Sequence, residues 1–400
     1  MPWRRPRKRV ERPINVSRAI EETLEEFSAG EDEDDTVELA GVDGASIVEA
    51  ATGEVDADER TASPLALQLA QVELSDPAIV ARFHATERPE DGVDLAVDAA
   101  RGLRLKNPVL TASGTFGQGV EYAELIDVSR LGAIVNKGTT VLARPGNPQY
   151  RIAETPSGIL NSIGLENPGA AGVVKKYAKA WAQLGVPVIV NVAGYSVDDY
   201  VTVVSEFAGI GSVVAYELNI SCPNVKGGML FGFDPDLAGQ VTAAVKRETD
   251  LPVIVKLTPN APDVVAVARA IEQAGADGIT AINTVLGMRI DVKKRRPILG
   301  TGSGGLSGPA IRPIAVHITY QVAQAVSIPI IGAGGITSAE DALEFLMAGA
   351  SAVQVGTATF ADPLAPMNVI EGLAAYVRAQ GLTSIRDVIG AALPVRDQPD

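Results

Sequence analysis

The sequence predicts an α/β protein whose main domain is a (β/α)8 TIM barrel, preceded by a mostly flexible acidic N-terminal extension. Short β-branched apolar runs alternate with helical periods from Gly92 onward, a pattern typical of a parallel sheet. There are eight such units in about 300 residues, which is the size of a TIM barrel. Charge sets the extension apart, because residues 1–92 hold 22 acidic and 10 basic side chains, a net −12 of the chain's −15.

We therefore divide the chain into an extension, residues 1–91, and a barrel domain, residues 92–400. The extension begins with a basic segment, Arg4 to Arg12, and continues into the acidic run Glu31 to Asp35. Its hydrophobic density is too low for a core, so we expect it to be flexible or draped on the barrel. A nucleic-acid or partner contact is the alternative for the basic segment, but a solvated tail is favoured.

Composition excludes several classes of protein. The one cysteine, Cys222, permits no internal disulfide and cannot supply a thiolate zinc or iron–sulfur site, so we predict no metal. No apolar run reaches the roughly 18 residues of a membrane-spanning helix. An acidic segment follows the basic start where a signal peptide would be apolar. We expect a soluble, cytoplasmic protein.

The eight predicted barrel strands end in residues that favour loops. In chain order they are Pro108–Ser113, Gly132–Lys137, Pro187–Gly194, Ala215–Cys222, Pro252–Asn260, Gly278–Thr284, Ile328–Gly334 and Ala352–Thr357. Several of the helices between them open with Pro near the first turn. The helical candidates are Asp199–Ala208, Pro235–Glu248, Pro262–Ala274, Pro309–Val326, Ala339–Ala348 and Pro363–Ala379.

Three further segments are predicted to close the two ends of the barrel. A hairpin-like segment, Val93–Lys106, is expected to plug the bottom. The connections Thr139–Pro168 and Val285–Ser307 are longer than a barrel requires, and loops of that length usually have a task such as covering a site.

Polar side chains stand at the ends of the predicted strands, where a barrel core would be apolar. They are Asn136, Lys137, Asn191, Asn219, Cys222, Lys256, Asn283 and Thr284. Strand-end capping could explain any one of them. Because unpaired buried polar groups are costly, so many at one rim predict a polar ligand or a dense hydrogen-bond network.

Two glycine-bearing loops predict a phosphate site. Gly332 to Ile336 follows the seventh strand and Gly356-Thr357 follows the eighth, where barrels of this kind bind phosphate. The segment Gly300 to Gly305 fits GxGxxG, but it follows no buried strand and lacks the expected acidic residue downstream. We discard it as a dinucleotide fingerprint.

Cys222 and Lys256 are the candidates for chemistry. Histidine catalysis is not expected, since His84 lies in the extension and His317 in a helix. A lone cysteine is often an inert core residue, but Pro223 and Asn224 place Cys222 at the rim, where a neighbouring lysine would favour its thiolate as a base. Lys256 could stabilise the negative charge of a reduced flavin. One phosphate and one stabilised anion suit FMN.

The motifs together are similar to those of class 1 dihydroorotate dehydrogenases, FMN-containing barrel enzymes of pyrimidine biosynthesis. The resemblance covers about Val93 to Val388. Its motifs are Leu105–Pro108, Ala112–Gly117, Asn136–Thr140, Asn161–Leu165, Asn219–Asn224, Gly305–Pro309 and Gly334-Gly335. Class 2 enzymes have serine in the fourth-strand motif and an apolar N-terminal helix, features that this chain lacks.

The resemblance implies a role for each matching residue. Cys222 would be the base that takes a proton from C5 of (S)-dihydroorotate while hydride passes from C6 to the flavin, giving orotate in de novo UMP synthesis. The residues implied for substrate are Lys137, Asn161, Ser162, Ile163, Gly164, Leu165, Asn219, Asn283 and Thr284. Those implied for FMN are Ser113, Lys137, Gly138, Asn191, Asn219, Lys256, Ile282 and Gly308, with Gly334, Gly335, Gly356 and Thr357 at its phosphate.

The loop Val225 to Pro235 is most similar to the class 1B subfamily. The resemblance then implies electron passage to NAD through a separate subunit carrying FAD and a [2Fe–2S] cluster, in a homodimer or a heterotetramer. A fumarate-linked class 1A enzyme is the alternative for the acceptor. Nucleic acid and membrane are not expected partners.

Three other functions remain open from the residues. Another FMN barrel dehydrogenase could act on different dihydropyrimidines. A flavin-free barrel could bind a phosphorylated sugar or indole precursor in the two glycine loops. The chain could also be a scaffold with an inert barrel.

Overall fold

Eight parallel strands form a barrel in the computed structural model, which describes residues 92–221 and 231–394. The predicted extension, residues 1–91, lies outside the described residues, as does Cys222. In chain order the strands are β1 Val97–Ala100, β2 Leu103–Leu105, β3 Val109–Thr111, β4 Ile134–Val135, β5 Ile152–Thr155, β6 Gly158–Asn161, β7 Val188–Val192, β8 Val213–Asn219, β9 Val253–Lys256, β10 Gly278–Ala281, β11 Val285–Gly287, β12 Ile290–Asp291, β13 Arg296–Pro297, β14 Gly304–Ser307, β15 Ile330–Ala333 and β16 Ala352–Val355.

The barrel sheet runs in the order β3, β16, β15, β10, β9, β8, β7, β4. A parallel bridge between Leu110 and Ala133 brings the two end strands together, and Gly132 N donates to Val109 O at 2.9 Å. Strands in such a barrel are covered on both faces and read as continuous apolar runs, as Ile330–Ala333 does with every residue buried. The predicted TIM barrel is confirmed, with each of the eight strands inside its predicted range except β8, which starts two residues earlier.

Helices surround the barrel in the expected alternation. They are α1 Ala170–Leu184, α2 Val197–Glu206, α3 Pro235–Glu248, α4 Val264–Gln273, α5 Arg312–Ala325, α6 Ala339–Met347, α7 Ala358–Ala361 and α8 Ala365–Ala379. The predicted bounds of α3 match the structure, because Asp234 caps it by accepting from the backbone of Asp236 and Leu237. None of these helices is long and apolar enough to cross a membrane.

The structure differs from the prediction at two places in the first half of the barrel. No helix was predicted over α1, although Trp181 on this helix is fully buried and its Nε1 donates to Gln118 O at 2.8 Å. The connection after β3 contains turns and the short 3-10 helix Val128–Arg130 in place of a full helix. Asn107, which precedes β3, holds this connection by donating from its Nδ2 to Arg130 O.

The predicted bottom plug is present as the antiparallel hairpin β1–β2. Arg101 N donates to Asp277 O at 2.8 Å, directly before β10 begins. A Cβ on Gly278 would lie 3.0 Å from Ala100 Cβ, so the hairpin packs closely against the start of that strand.

The two long connections pair with each other at the opposite end. They form an antiparallel sheet in the order β11, β14, β6, β5, which we name the lid sheet. Ala153, Leu160 and Leu299 form a small apolar core of their own inside it. Gly304 and Gly305 pack too closely for side chains, since a Cβ would approach Asn161 O to 2.3 Å and Thr284 Oγ1 to 2.0 Å. Gly304 and Gly305 of the discarded GxGxxG segment thus serve sheet packing.

Candidate active site

A cavity of about 460 Å³ lies between the carboxyl ends of the barrel strands and the lid sheet. Every sequence-predicted site residue that the structure describes lines it. These are Ser113, Lys137, Gly138, Asn161, Ser162, Ile163, Gly164, Leu165, Asn191, Asn219, Lys256, Ile282, Asn283, Thr284, Gly308, Gly334, Gly335, Gly356 and Thr357. Their individual roles stay predictions, and Cys222 lies outside the described residues.

The floor of the cavity is a polar layer inside the barrel. Lys256 is 4% exposed, and its Nζ donates to Gln354 Oε1 at 2.9 Å and lies 3.6 Å from Glu217 Oε1. Glu217 is fully buried and accepts from Gln354 Nε2 at 2.5 Å and Thr280 Oγ1 at 2.7 Å. A buried charge needs an opposite charge and hydrogen bonds, and this layer supplies both.

Asn191 connects this layer to the cavity wall. Its Nδ2 donates to Glu217 Oε1 at 2.7 Å, and its backbone N donates to Asn136 Oδ1 at 2.7 Å. Asn191 Oδ1 is buried, and no described residue donates to it. A Cβ on Gly138 would come within 3.0 Å of that oxygen, so glycine at 138 leaves space beside it. The wall therefore presents an acceptor that can take an N–H donor from a ligand.

A second group of polar side chains lies at the ends of β8 and β10. Asn283 Nδ2 donates to Asn219 Oδ1 at 3.2 Å, while Asn283 Oδ1 accepts from Thr284 N at 2.8 Å. Both asparagines are thereby oriented, and among the described residues none accepts from Asn219 Nδ2. Lys137 lines the same cavity and pairs with no described carboxylate. A free amide donor and an unpaired cation suit an anionic ligand with carbonyl groups.

The lid sheet supplies the roof of the cavity. Asn161 Nδ2 donates to Gly305 O at 3.2 Å, which joins β6 to β14 through a side chain as well as the backbone. Ser162 Oγ lies 2.6 Å from Thr301 Oγ1 and accepts from Asn147 Nδ2 at 2.9 Å. The predicted covering role of the two long connections is thus consistent with their position, and residues from both line the cavity.

Backbone conformation explains the predicted phosphate loops. Gly335 has φ +75°, and a Cβ there would lie 2.8 Å from Gly308 O and 2.9 Å from Arg312 Cβ. A Cβ on Gly356 would lie 3.1 Å from Ala112 Cβ. Thr357 Oγ1 donates to Ser307 Oγ at 2.8 Å, which ties the eighth-strand loop to the end of β14. Glycines therefore let the backbone of these loops pack closely against Gly308, Arg312 and Ala112 at this end of the cavity.

Sequence reasoning missed Glu217, Gln354 and Thr280. Each interrupts or ends an apolar barrel strand, and Glu217 is two residues before Asn219 on the same face of β8, so a signal was present. It also missed Arg144, which lines the cavity and whose guanidinium carbon lies 4.9 Å from the centre of the Tyr195 ring. Arg144 follows the polar end of β4 within the long first connection, and no local pattern distinguishes it.

Comparisons with known proteins agree on one family. A family model described as dihydroorotate dehydrogenase matches residues 95–377. The chain is 56% identical over 290 residues to the dihydroorotate dehydrogenase B (NAD(+)) catalytic subunit of Anoxybacillus flavithermus, which covers 72% of this chain and 93% of the relative. The protein of the same description from Desulforamulus reducens is 52% identical over 301 residues, covering 75% of this chain and 99% of the relative.

Proposed function

The chain belongs to the dihydroorotate dehydrogenase family, and on this premise we propose that it oxidises (S)-dihydroorotate to orotate in de novo pyrimidine biosynthesis. It is an oxidoreductase that acts on a CH–CH bond. The observation that carries the proposal is the juxtaposition, in one cavity, of Lys137, which pairs with no described carboxylate, the oriented Asn219–Asn283 pair and the buried Lys256. That set of groups fits an anionic ring substrate beside a redox cofactor.

The family is flavin-dependent, and we propose FMN as the flavin. The glycine loops at 334–335 and 356–357 suit a single phosphate, and the buried acceptor Asn191 Oδ1 suits an N–H of the ring. Lys256 supplies a cation at the cavity floor. When bound, FMN supplies the acceptor for the hydride that leaves C6 of dihydroorotate.

The chain's own residues bind the substrate and move its proton. Lys137 pairs with the substrate carboxylate, and Asn219 and Asn283 hydrogen-bond the ring amide groups. The lid sheet, with Asn161 and Ser162, keeps water away from the reacting carbons. Cys222 accepts the proton from C5, a role that rests on its place in the motif Asn219–Asn224. Proton removal by a positioned base typically accelerates a reaction by a factor of about 10²–10⁴.

The electrons leave through a partner subunit to NAD. The relatives named above are catalytic subunits of NAD(+)-linked enzymes, which implies a second, electron-transfer subunit. This sequence holds one cysteine and cannot supply four thiolates to a cluster. An FAD and [2Fe–2S] subunit in a heterotetramer around a catalytic homodimer is the proposed assembly. Direct reduction of fumarate is the second candidate, since the same cavity could serve it.

Anaerobic titration with dihydroorotate tests the reaction. The purified chain should be yellow, and dihydroorotate should bleach its flavin absorbance, whereas dihydrouracil should not. A yellow protein that dihydroorotate leaves unbleached would contradict the substrate, and a colourless protein that takes up no FMN would contradict the flavin.

The acceptor is tested on the reduced protein. We expect neither NAD nor fumarate to reoxidise the chain on its own, and NAD to do so once the electron-transfer subunit of a relative is added. Rapid reoxidation by fumarate alone would contradict the NAD-linked assignment.

A further inference from the structure

We propose that Glu217 is a positioning residue for the flavin, which fixes the Asn191 amide as an acceptor and the Lys256 ammonium as a donor at the cavity wall. The inference rests on the proposed function, because the ligand it concerns is that function's cofactor. Glu217 does not line the cavity, so it acts through the side chains that do.

Glu217 holds four side chains from four different strands. Three neutral donors and one ammonium surround its two oxygens, which satisfies a fully buried carboxylate. The four partners come from β7, β9, β10 and β16. Three of them, Asn191, Lys256 and Gln354, also line the cavity. One carboxylate therefore sets the orientation of three groups that a ligand would touch.

Glu217 also sets the orientation of the Asn191 amide. Since Asn191 Nδ2 donates a hydrogen bond to Glu217, Asn191 Oδ1 must point away from that carboxylate. This oxygen is buried, and no described residue donates to it. The imide edge of a flavin ring carries one N–H between two carbonyl oxygens. An acceptor fixed at the wall matches that N–H, and a turned amide would present a second donor to it instead.

Lys256 is held by Glu217 in two ways. Gln354 Nε2 donates a hydrogen bond to Glu217, so Gln354 Oε1 faces Lys256 and accepts from its Nζ. Glu217 thus holds the ammonium twice, directly by charge and through this amide. A cation fixed at the wall favours the reduced flavin, which carries more negative charge than the oxidised form.

The sign of a change in reduction potential separates positioning from simple electrostatics. Neutralising a carboxylate near the flavin would, by charge alone, make reduction easier and raise the potential. If Glu217 positions Lys256 and Asn191, its loss releases both groups and the potential falls. A structural role alone would alter unfolding and leave the potential unchanged.

The test compares the Glu217→Gln variant with the unmodified chain. The new amide N–H₂ meets the donors of Asn191 or Gln354, so at least one of these amides must turn. We expect the dissociation constant of oxidised FMN, measured by fluorescence, to rise about tenfold, as for loss of a hydrogen bond to a charged group. We expect the affinity for reduced FMN to fall about tenfold further than the affinity for oxidised FMN, which lowers the two-electron midpoint potential by about 30 mV.

Two threonine variants complete the test. Thr280→Val removes one donor to Glu217 with little change of shape, so it should lower the potential in the same direction by a smaller amount. Thr319→Val is the matched control, because Thr319 is equally buried on α5 and its Oγ1 has no described partner. It should leave both FMN affinity and potential unchanged.

The outcomes distinguish this inference from the proposed function. A potential that is unchanged or raised in Glu217→Gln would refute the positioning role while dihydroorotate still bleaches the unmodified chain. If Glu217→Gln does not fold, Thr280→Val decides by the same criterion. An unmodified chain that binds no FMN would refute the proposed function and this inference together.

Discussion

Replacing Lys256 by Met should strongly destabilise the flavin-free barrel. The substitution keeps the length of the side chain but leaves the Glu217 carboxylate, 0% exposed, without its counter-ion at 3.6 Å. At that distance two charges attract by about 4–5 kcal/mol for an effective dielectric constant of about 20. Breaking one side of a buried pair typically costs about 3–5 kcal/mol. The two figures agree, and they correspond to a fall in Tm of about 6–10 °C for a domain of this size.

The assay is equilibrium urea unfolding of the flavin-free protein, followed by fluorescence of the fully buried Trp181. The informative control is the double variant Lys256→Met with Glu217→Gln, which removes both charges. It should recover more than half of the lost free energy of unfolding, because replacing a whole buried pair is far less costly than breaking it. A single variant that loses less than about 1 kcal/mol, or a double variant that loses the sum of both single variants, would refute the coupling.

Three other substitutions test separate parts of the molecule. Cys222→Ala should keep FMN bound and slow flavin reduction by about 10²–10⁴ in stopped flow, and an unchanged rate would remove Cys222 from the mechanism. Gly335→Ala should weaken FMN binding, since its Cβ would meet Gly308 O at 2.8 Å, whereas Gly381→Ala, at a similar φ of +67° but with open space, should not; equal affinities in a fluorescence titration would contradict this. Burial, with the Glu248 carboxylate adding to it, raises the pKa of Tyr216 from 10.0 to about 12. The stability that this shift provides is complete below about pH 10 and is lost as the pH rises towards 12, so Tyr216→Phe should flatten that loss in urea unfolding, and parallel pH profiles would contradict it.

Much of the barrel could be predicted because local patterns and the final structure agree. The strand Val188–Val192 is a β-branched run interrupted only by Asn191, and the helix Pro235–Glu248 carries both a capping aspartate and proline at its first turn. The candidate site followed from the same regularity, since parallel strands bring their carboxyl ends to one rim. Lys137, Asn191, Asn219 and Lys256 are far apart in the chain, yet all of them line one cavity.

The features that were missed depend on contacts between distant segments. Nothing local shows that Gly158–Asn161 pairs with Gly304–Ser307, because each is a segment of four residues that starts with glycine and has no extended strand pattern. Glu217 was overlooked because a charge inside an apolar strand has a meaning only once its partners on other strands are known. The helix Ala170–Leu184 begins without a side-chain cap, at Gly169, so the usual start signal was absent.

The closure of the barrel between β16 and β3 has a consequence for synthesis on the ribosome. The first barrel strand, Val109–Thr111, has one edge without its final partner until Ala352–Val355 has been translated. The lid sheet likewise forms late, since β6 can pair with its neighbour β14 only after some 140 further residues have been translated. An emerging chain thus holds unpaired strand edges for most of its elongation, the condition in which nascent proteins aggregate or recruit chaperones. A cofactor could associate only with a chain whose translation is nearly finished.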